Sequence, residues 1–225
     1  MVELVWEGKY HDGQKAAPLR IVLPFQTIET INESVQERQR ALDLYAQARP
    51  TEWRNRLIWG DKRYVLPSLL EEFVGRVNLI YIDPPFATGD DFSFQVQIDG
   101  EEFTKEPSII EQMAYRDTWG RGLDSYMQMF YETTVMLRDL LAENGSVYVH
   151  LDWHVVHYVK SMFDDVFGYD NFQREIIWSF DTKSGYKSAV SNWIRSHDTL
   201  LYYTRNKSTR IFNKEFLPYG EEYLK

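Results

Sequence analysis

A short hydrophobic strand that ends in an acidic residue and two prolines constrains this chain more than any other feature. Residues 79–86 read Leu-Ile-Tyr-Ile-Asp-Pro-Pro-Phe, and the four apolar, β-prone residues predict a buried strand of a parallel sheet. Because prolines cannot continue a central strand, the strand ends at Asp83. Open α/β sheets bind ligands at the carboxyl ends of strands, so Asp83 and the Pro84 carbonyl are candidate acceptors. The alternative is that Asp-Pro-Pro forms only a rigid turn.

Composition excludes several classes of protein. The 225 residues contain no cysteine, which excludes disulfides, a thiolate nucleophile and a cysteine zinc site. No apolar stretch approaches the roughly 20 residues that span a bilayer, and the first residues lack a signal-peptide pattern, so we expect a cytoplasmic protein without membrane contact. The net charge of −9 argues against a protein that merely coats DNA, although residues 171–225 carry 9 Lys/Arg against 6 Asp/Glu.

The order of predicted elements is typical of an α/β protein with a doubly wound, mostly parallel sheet and a terminal β-hairpin. Residues 1–50 are predicted to be an N-terminal extension, and residues 207–225 the start of a further region. Between them, predicted strands and helices alternate along residues 51–206. Strands are predicted at 57–59, 78–82, 146–151, 172–180 and 199–203, helices at 66–73, 123–142 and 153–167, and a long polar loop at 87–121. In the extension, residues 19–23 predict a strand and residues 30–48 a polar helix.

At residues 83–86, Asp-Pro-Pro-Phe, the chain resembles the DNA amino-methyltransferases, whose signature is Asp/Ser/Asn-Pro-Pro-Tyr/Phe. Other segments of the resemblance follow in order: Gly60-Asp61, Tyr115-x-Asp117-x-Trp119, Asn144-Gly145, Val149-His150-Leu151-Asp152 and Ser196-His197-Asp198-Thr199-Leu200. The chain is most similar to the permuted β-type group, which includes the modification subunits of type III restriction systems. The resemblance implies a class I methyltransferase fold over residues 51–206.

The resemblance also implies a reaction. It assigns catalysis to Asp83, Pro84, Pro85 and Phe86, with S-adenosylmethionine as methyl donor and the N6 amino group of a flipped adenine in double-stranded DNA as acceptor. Asp83 and the Pro84 carbonyl would accept the amino hydrogens, and Phe86 would stack on the base. Phe stands at position 86 where Tyr is commoner, and N4-cytosine stays open as the target.

The cofactor half of the pocket is not found in the sequence. Enzymes of this type carry a Phe-x-Gly-x-Gly loop, which in the β-type order lies C-terminal to the Asp-Pro-Pro-Phe half, and residues 1–225 contain none. The chain is therefore expected to be the N-terminal half of such an enzyme. It would act with a C-terminal methyltransferase half, a restriction subunit or a second copy. A catalytically incomplete fragment that binds DNA or a partner is the alternative.

The remaining candidates each have a structural alternative. Asp61 is assigned with Asp83 to cofactor binding, or to a plain turn at a strand end. Asp152 is expected to cap a helix. The candidate contacts with DNA lie in the loop between the last two predicted strands and are Lys183, Lys187 and Arg195. The alternative is that these three residues are ordinary solvated charges. No metal is predicted, because His154 and His157 share a helix, His150 lies in a strand, and no matching carboxylates are evident.

Overall fold

The computed structural model describes residues 3–29, 55–85, 94–98, 101–105, 122–180, 191 and 193–216, the two short ranges 94–98 and 101–105 by their backbone alone. Eight strands and three α-helices lie in these ranges. In chain order they are β1 (Tyr10–His11), β2 (Gln14–Lys15), α1 (Lys62–Phe73), β3 (Val77–Ile82), β4 (Phe94–Ile98), β5 (Glu101–Lys105), α2 (Leu123–Leu140), β6 (Leu141–Leu151), α3 (Val156–Phe167), β7 (Phe172–Ser179) and β8 (His197–Thr204). A 3₁₀ turn, Tyr169–Asn171, precedes β7.

A four-stranded mixed sheet in the order β3-β6-β8-β7 forms the centre of the structure. Strands β3 and β6 are parallel, whereas β8 pairs antiparallel with both β6 and β7. The predicted α/β class and terminal hairpin are confirmed. The prediction of a mostly parallel sheet is wrong for the described residues, because β8 folds back from β7 and inserts between β6 and β7.

The strand predicted at residues 57–59 is absent, and β3 is an edge strand among the described residues. Residues 57–59 form no regular element, and the side chains of Leu57 and Trp59 are exposed. Three apolar residues supply few ladder hydrogen bonds, so they form a strand only where a neighbouring strand buries them. On the face opposite the core β3 exposes Leu79 and Tyr81, and no described strand pairs with its outer edge.

The hydrophobic core lies between one face of the sheet and the helices. Its members are joined in one cluster that includes Ile80 of β3, Val147 and Val149 of β6, and Tyr203 of β8. The buried positions of α2 and α3 complete it, and the partly buried positions of α1 pack against its edge: Tyr126, Phe130, Leu137, Val159, Phe163, Leu66 and Leu70. Strand residues of the opposite parity, among them Tyr81 and His150, therefore lie on the other face.

The boundary between α2 and β6 differs from the prediction. The helix ends at Leu140 and β6 begins at Leu141, so Gly145 lies within the strand and does not stop the helix. A Cβ on Gly145 would lie 2.8 Å from the Val77 carbonyl oxygen and 2.9 Å from Leu141 Cδ2. Glycine is thus required here by the close approach of β3 and β6, where the pairing register also shifts.

The predicted loop at 87–121 contains a hairpin. Strands β4 and β5 pair antiparallel, with Ile98 opposite Glu101. The signal was in the sequence, since Phe94, Val96 and Ile98 alternate with polar residues before an Asp-Gly dipeptide that favours a tight turn. Apart from these two strands, the predicted loop at 87–121 lies outside the described residues.

Residues 3–16 pack on α2 and α3. Trp6 is buried, and its indole N–H donates to Gln128 Oε1 of α2 at 2.9 Å. The fully buried Lys9 ammonium lies 2.6 Å from Glu3 and 3.2 Å from Asp165 of α3. The strand predicted at residues 19–23 is absent, and the Leu23 amide instead donates to Ser68 Oγ of α1. The helix predicted at 30–48 lies outside the described residues.

Candidate active site

Asp83 lies immediately beyond the carboxyl end of β3. The following residues, Pro84 and Pro85, are partly buried, whereas the Asp83 side chain is 60% exposed. Because β3 and β6 are parallel, their carboxyl ends meet, and Asp83 Oδ1 lies 3.9 Å from His150 Nδ1 of β6. The carboxylate is therefore open to a ligand at the edge of the sheet where the sequence predicts one. Phe86, the predicted stacking ring, lies outside the described residues.

His150 connects this carboxylate to a second one. The Tyr81 hydroxyl lies 3.0 Å from His150 Nδ1, and Asp198 Oδ2 of β8 lies 3.3 Å from His150 Nε2. The pairing of β6 with both neighbours sets this arrangement, since Tyr81 and His150 lie on the same face of the sheet, as does Asp198. Sequence reasoning selected the segments that hold His150 and Asp198 but gave neither residue a role.

Arg195 links two buried carboxylates behind His150. Its guanidinium pairs with Asp198 Oδ1 and lies 3.4 Å from Asp152 Oδ2. Asp152 is almost fully buried and also accepts from the backbone N–H of His154 at 2.9 Å, while its other oxygen lies 2.6 Å from His154 Nδ1. Arg195 places one positive charge between the two carboxylates, and these contacts hold the start of β8 against the end of β6.

The prediction that Asp152 caps the helix is wrong, because the N-cap residue of α3 is Val155, whose side chain makes no capping hydrogen bond. Asp152 accepts a backbone N–H two residues ahead, as capping side chains do, but helix α3 begins only at Val156 after an intervening turn. The carboxylate therefore closes the turn that carries Trp153 and His154. Those two rings stack with centroids 3.8 Å apart, and Trp153 is largely exposed beside the site.

Asp61 has a structural role in α1. It is the N-cap residue, and its Oδ1 accepts from the backbone N–H of Arg63 at 2.9 Å while its Oδ2 accepts from the Arg63 guanidinium. Partial burial alone would raise the pKa of the Asp61 carboxyl, but the two kinds of hydrogen bond from Arg63 hold that pKa below its ordinary value. Its assignment to cofactor binding stays a prediction.

The DNA-binding candidates divide into two groups. Lys183 and Lys187 lie outside the described residues. Arg195 is described and remains 39% exposed, but its guanidinium is held by Asp152 and Asp198, so any contact with a phosphate would be made by the exposed remainder of the group. These assignments stay predictions. A cleft of about 550 Å³ between residues 23–25 and α1 lies apart from all of these candidates.

The described ranges contain no group of three or more His, Cys, Asp or Glu residues arranged to hold a metal ion. His150 and His154 each face an aspartate instead, and His157 is exposed on α3. Within the same ranges, no helix has the length and apolar character to cross a membrane.

Comparison with known proteins gives one family and several relatives. The N6/N4 methyltransferase family model, described as DNA methylase, matches residues 77–224. The chain is 28% identical over 165 residues to the Mod subunit of the type III restriction-modification enzyme EcoP15I of Escherichia coli, a match that covers 69% of this chain and 25% of that protein. It is 27% identical over 170 residues to the type II methyltransferase M.EcaI of Enterobacter cloacae, covering 76% of this chain and 33% of that protein.

Solved structures give weaker likenesses. The M1.HpyAVI–SAM complex matches with a TM-score of 0.45 at 13% identity, over 72% of this chain and 60% of that chain. The cytosine-N4-specific PvuII DNA methyltransferase matches with a TM-score of 0.38 at 18% identity, over 68% and 57% of the two chains. The matched region spans a quarter of the EcoP15I Mod subunit and a third of M.EcaI.

Proposed function

This chain belongs to the DNA methylase family, and we propose that it forms the amine-binding half of an enzyme that methylates the N6 amino group of adenine in DNA. The observation that carries the proposal is the exposed Asp83 carboxylate at the carboxyl end of β3, in the Asp-Pro-Pro-Phe motif of residues 83–86. We propose Asp83, Pro84, Pro85 and Phe86 as the catalytic residues. The relatives named as type II and type III enzymes favour a restriction-modification setting.

The proposed mechanism starts from the weakness of an aromatic amine as nucleophile. Its lone pair is delocalised into the ring, and two acceptors on the amino hydrogens would favour a pyramidal nitrogen with a localised pair. Asp83 Oδ and the Pro84 carbonyl would be these acceptors, since Pro84 and Pro85 hold the chain extended at this point. Such preorganised acceptors and the proximity they enforce each commonly contribute several kcal/mol to a rate.

We propose S-adenosylmethionine as the methyl donor, which supplies an electrophilic methyl group on a sulfonium. The residues of this chain fit only part of its pocket. Asp83 is open to a ligand, whereas both Asp61 oxygens already accept hydrogen bonds from Arg63. Residues 1–225 also contain no Phe-x-Gly-x-Gly loop. Asp61 and Asp83 would thus supply one side of the cofactor site, and the other side would come from elsewhere.

The outer edge of β3 is the proposed contact with the missing half. Its backbone groups have no described partner strand, and Leu79 and Tyr81 are more than half exposed beside it. An open edge with apolar side chains is a template for a further strand. We propose that a C-terminal methyltransferase half pairs here, with a restriction subunit or a second copy as further partners. On this proposal residues 51–206 are the catalytic half, residues 1–50 an extension and residues 207–225 the start of target recognition.

The proposed substrate is double-stranded DNA with the target adenine flipped out, because a stacked base cannot reach a side chain at a sheet edge. Lys183, Lys187 and Arg195 are the proposed phosphate contacts. Adenine is favoured over cytosine by Asp at position 83, on the family resemblance. We also propose a cytoplasmic location, because the DNA substrate must be accessible to the enzyme.

Isothermal calorimetry with S-adenosylmethionine tests the half-pocket proposal. We expect the 225-residue chain alone to bind the cofactor weakly or not at all, and the chain joined to its C-terminal half to bind it tightly. Tritiated methyl transfer to DNA should follow the same pattern. Micromolar binding by the isolated chain would overturn the proposal that half of the pocket is missing.

The second candidate is a binding module without turnover, and the same absent glycine loop favours it. It predicts that the chain binds DNA or a partner while no assembly containing it transfers methyl groups. Transfer by any assembly that loses its activity on removal of this chain would exclude this candidate.

A further inference from the structure

The His150 ring lies between the exposed carboxylate of Asp83 and the buried carboxylate of Asp198, which determines where its proton sits. An ionised carboxylate only accepts hydrogen bonds, and Asp198 also pairs with the Arg195 guanidinium. The contact between His150 Nε2 and Asp198 Oδ2 at 3.3 Å therefore favours the neutral tautomer with the proton on Nε2. The other nitrogen, Nδ1, then carries a lone pair that faces Tyr81 and Asp83.

We propose that His150 Nδ1 receives the proton that leaves the target amine by way of Asp83. The inference rests on the proposed function. Asp83 Oδ1 lies 3.9 Å from Nδ1, so a small rotation of either side chain brings the two atoms into hydrogen-bond distance. Because Nδ1 has a single lone pair, the Tyr81 O–H must turn its hydrogen away while that nitrogen receives the proton, after which the Tyr81 oxygen accepts from the new Nδ1–H.

The proton balance of methyl transfer explains the need for such an acceptor. The nitrogen–carbon bond forms as the carbon–sulfur bond breaks, its electron pair remains on sulfur, and the amine is left with one proton in excess. That proton passes to Asp83 and then to His150 Nδ1, and from the exposed side of the site to water. Asp198 holds the imidazolium by its Nε2–H, and Arg195 and Asp152 hold Asp198 in place.

His150 thereby returns Asp83 to the ionised state in which it can accept from the next amine. It acts through Asp83 and is a positioning residue. The arrangement follows the logic by which a buried aspartate selects the tautomer of a histidine and stabilises its charged form. Here the histidine serves a carboxylate acceptor, and the buried carboxylate comes from the antiparallel strand β8.

The tautomer can be measured on the 225-residue chain without any activity. Nitrogen-15 NMR of a histidine-labelled sample is expected to show His150 in the Nε2–H form when neutral. Asp198→Asn should shift the population toward the Nδ1–H form, because the amide NH₂ can donate to Nε2. Asp170→Asn, an exposed control, should leave it unchanged. A neutral His150 with its proton on Nδ1 in the unsubstituted chain would overturn the proposal.

Single-turnover methyl transfer by the completed enzyme tests the function of the tautomer. His150→Ala should lower the rate about 10- to 100-fold, at or below the low end of general acid–base effects because His150 acts through Asp83, with affinity for DNA unchanged. Added imidazole should restore part of the rate of His150→Ala. The more conservative substitution His150→Gln should be as slow as His150→Ala without imidazole. His157→Ala, at an exposed position of α3, should retain the full rate.

The outcomes separate this inference from the proposed function. An unsubstituted enzyme that transfers no methyl group contradicts both. If it transfers methyl groups and His150→Ala does so at the same rate, the inference alone fails. It fails also if His150→Gln restores the rate while imidazole does not, since that result indicates only a packing role.

Discussion

Two aspartates at neighbouring strand ends differ in exposure, and the difference separates their roles. Asp83 is 60% exposed after β3, whereas Asp152 is 1% exposed after β6 and is held by Arg195, His154 and a backbone N–H. A buried carboxylate with all its partners maintains structure, and an exposed one at a sheet edge is available to a ligand.

Removing the buried member of this pair should destabilise the fold. In Asp152→Ala the Arg195 guanidinium and the His154 amide each lose an acceptor, so we expect a loss of about 3 kcal/mol in the free energy of unfolding. Asp170→Ala removes an exposed carboxylate and should change it by less than about 0.5 kcal/mol. Urea denaturation of the three chains checks this, and equal midpoints for the two variants would contradict it.

Glu3 gives the N-terminal segment a pH dependence. Its hydrogen bonds with Lys9 and Tyr10 lower the pKa of the Glu3 carboxyl from 4.5 to about 2. Because the folded-state pKa is depressed, the stabilisation is complete above about pH 5 and is lost as the pH falls toward 2. The advantage of the unsubstituted chain over Glu3→Gln in denaturation midpoint should therefore shrink below pH 4.5. An advantage that is constant from pH 6 to pH 3 would contradict this account.

At the scale of single residues the sequence predicted Asp83 and missed its connections. The Asp-Pro-Pro-Phe run carries its own signal, because strand, acceptor and prolines are contiguous. The contact between His150 and Asp198 joins residues 48 positions apart and depends on the register between β6 and β8. That register is a tertiary property, which no local pattern encodes.

Helices and strands were predicted correctly where their apolar periodicity was strong enough to define them without knowledge of the tertiary packing. Helix α2 and strand β6 follow clear apolar patterns, and β7 and β8 lie within a residue or two of their expected bounds. The strand at residues 57–59 was predicted from three apolar residues alone. Strand formation depends on a neighbour, and the described part of the chain supplies none at that edge.

Gly145 tests the close contact between the parallel strands. Gly145→Ala would place a Cβ 2.8 Å from the Val77 carbonyl oxygen, so β3 and β6 must separate, and we expect a loss of about 1–3 kcal/mol in the free energy of unfolding. Gly60→Ala is the control, since its Cβ would meet only the Val65 side chain, at 3.0 Å. Thermal denaturation checks both, and an unchanged midpoint for Gly145→Ala would show that the contact relaxes freely.

For the molecule as a whole, the open edge of β3 and the lack of a Phe-x-Gly-x-Gly loop in residues 1–225 both support the proposal that a further segment completes the site. The described sheet carries helices on the face that contains the core, while the Asp83 site lies at one end of a strand with an unpaired edge. A site at such an edge is completed by whatever pairs with it. The hypothesis of an N-terminal half came from the sequence, and the proposal that the edge of β3 joins it to the other half came from the structure.

The measurement that tests the central claim most directly is single-turnover methyl transfer to DNA by the completed enzyme, with the modified nucleosides identified by mass spectrometry. We expect the unsubstituted enzyme to yield N6-methyladenine. Asp83→Ala should lower the rate at least about 100-fold even at saturating cofactor, because its acceptor serves the target amine. The exposed control Asp170→Ala should retain the full rate. Near-normal transfer by Asp83→Ala would contradict the account.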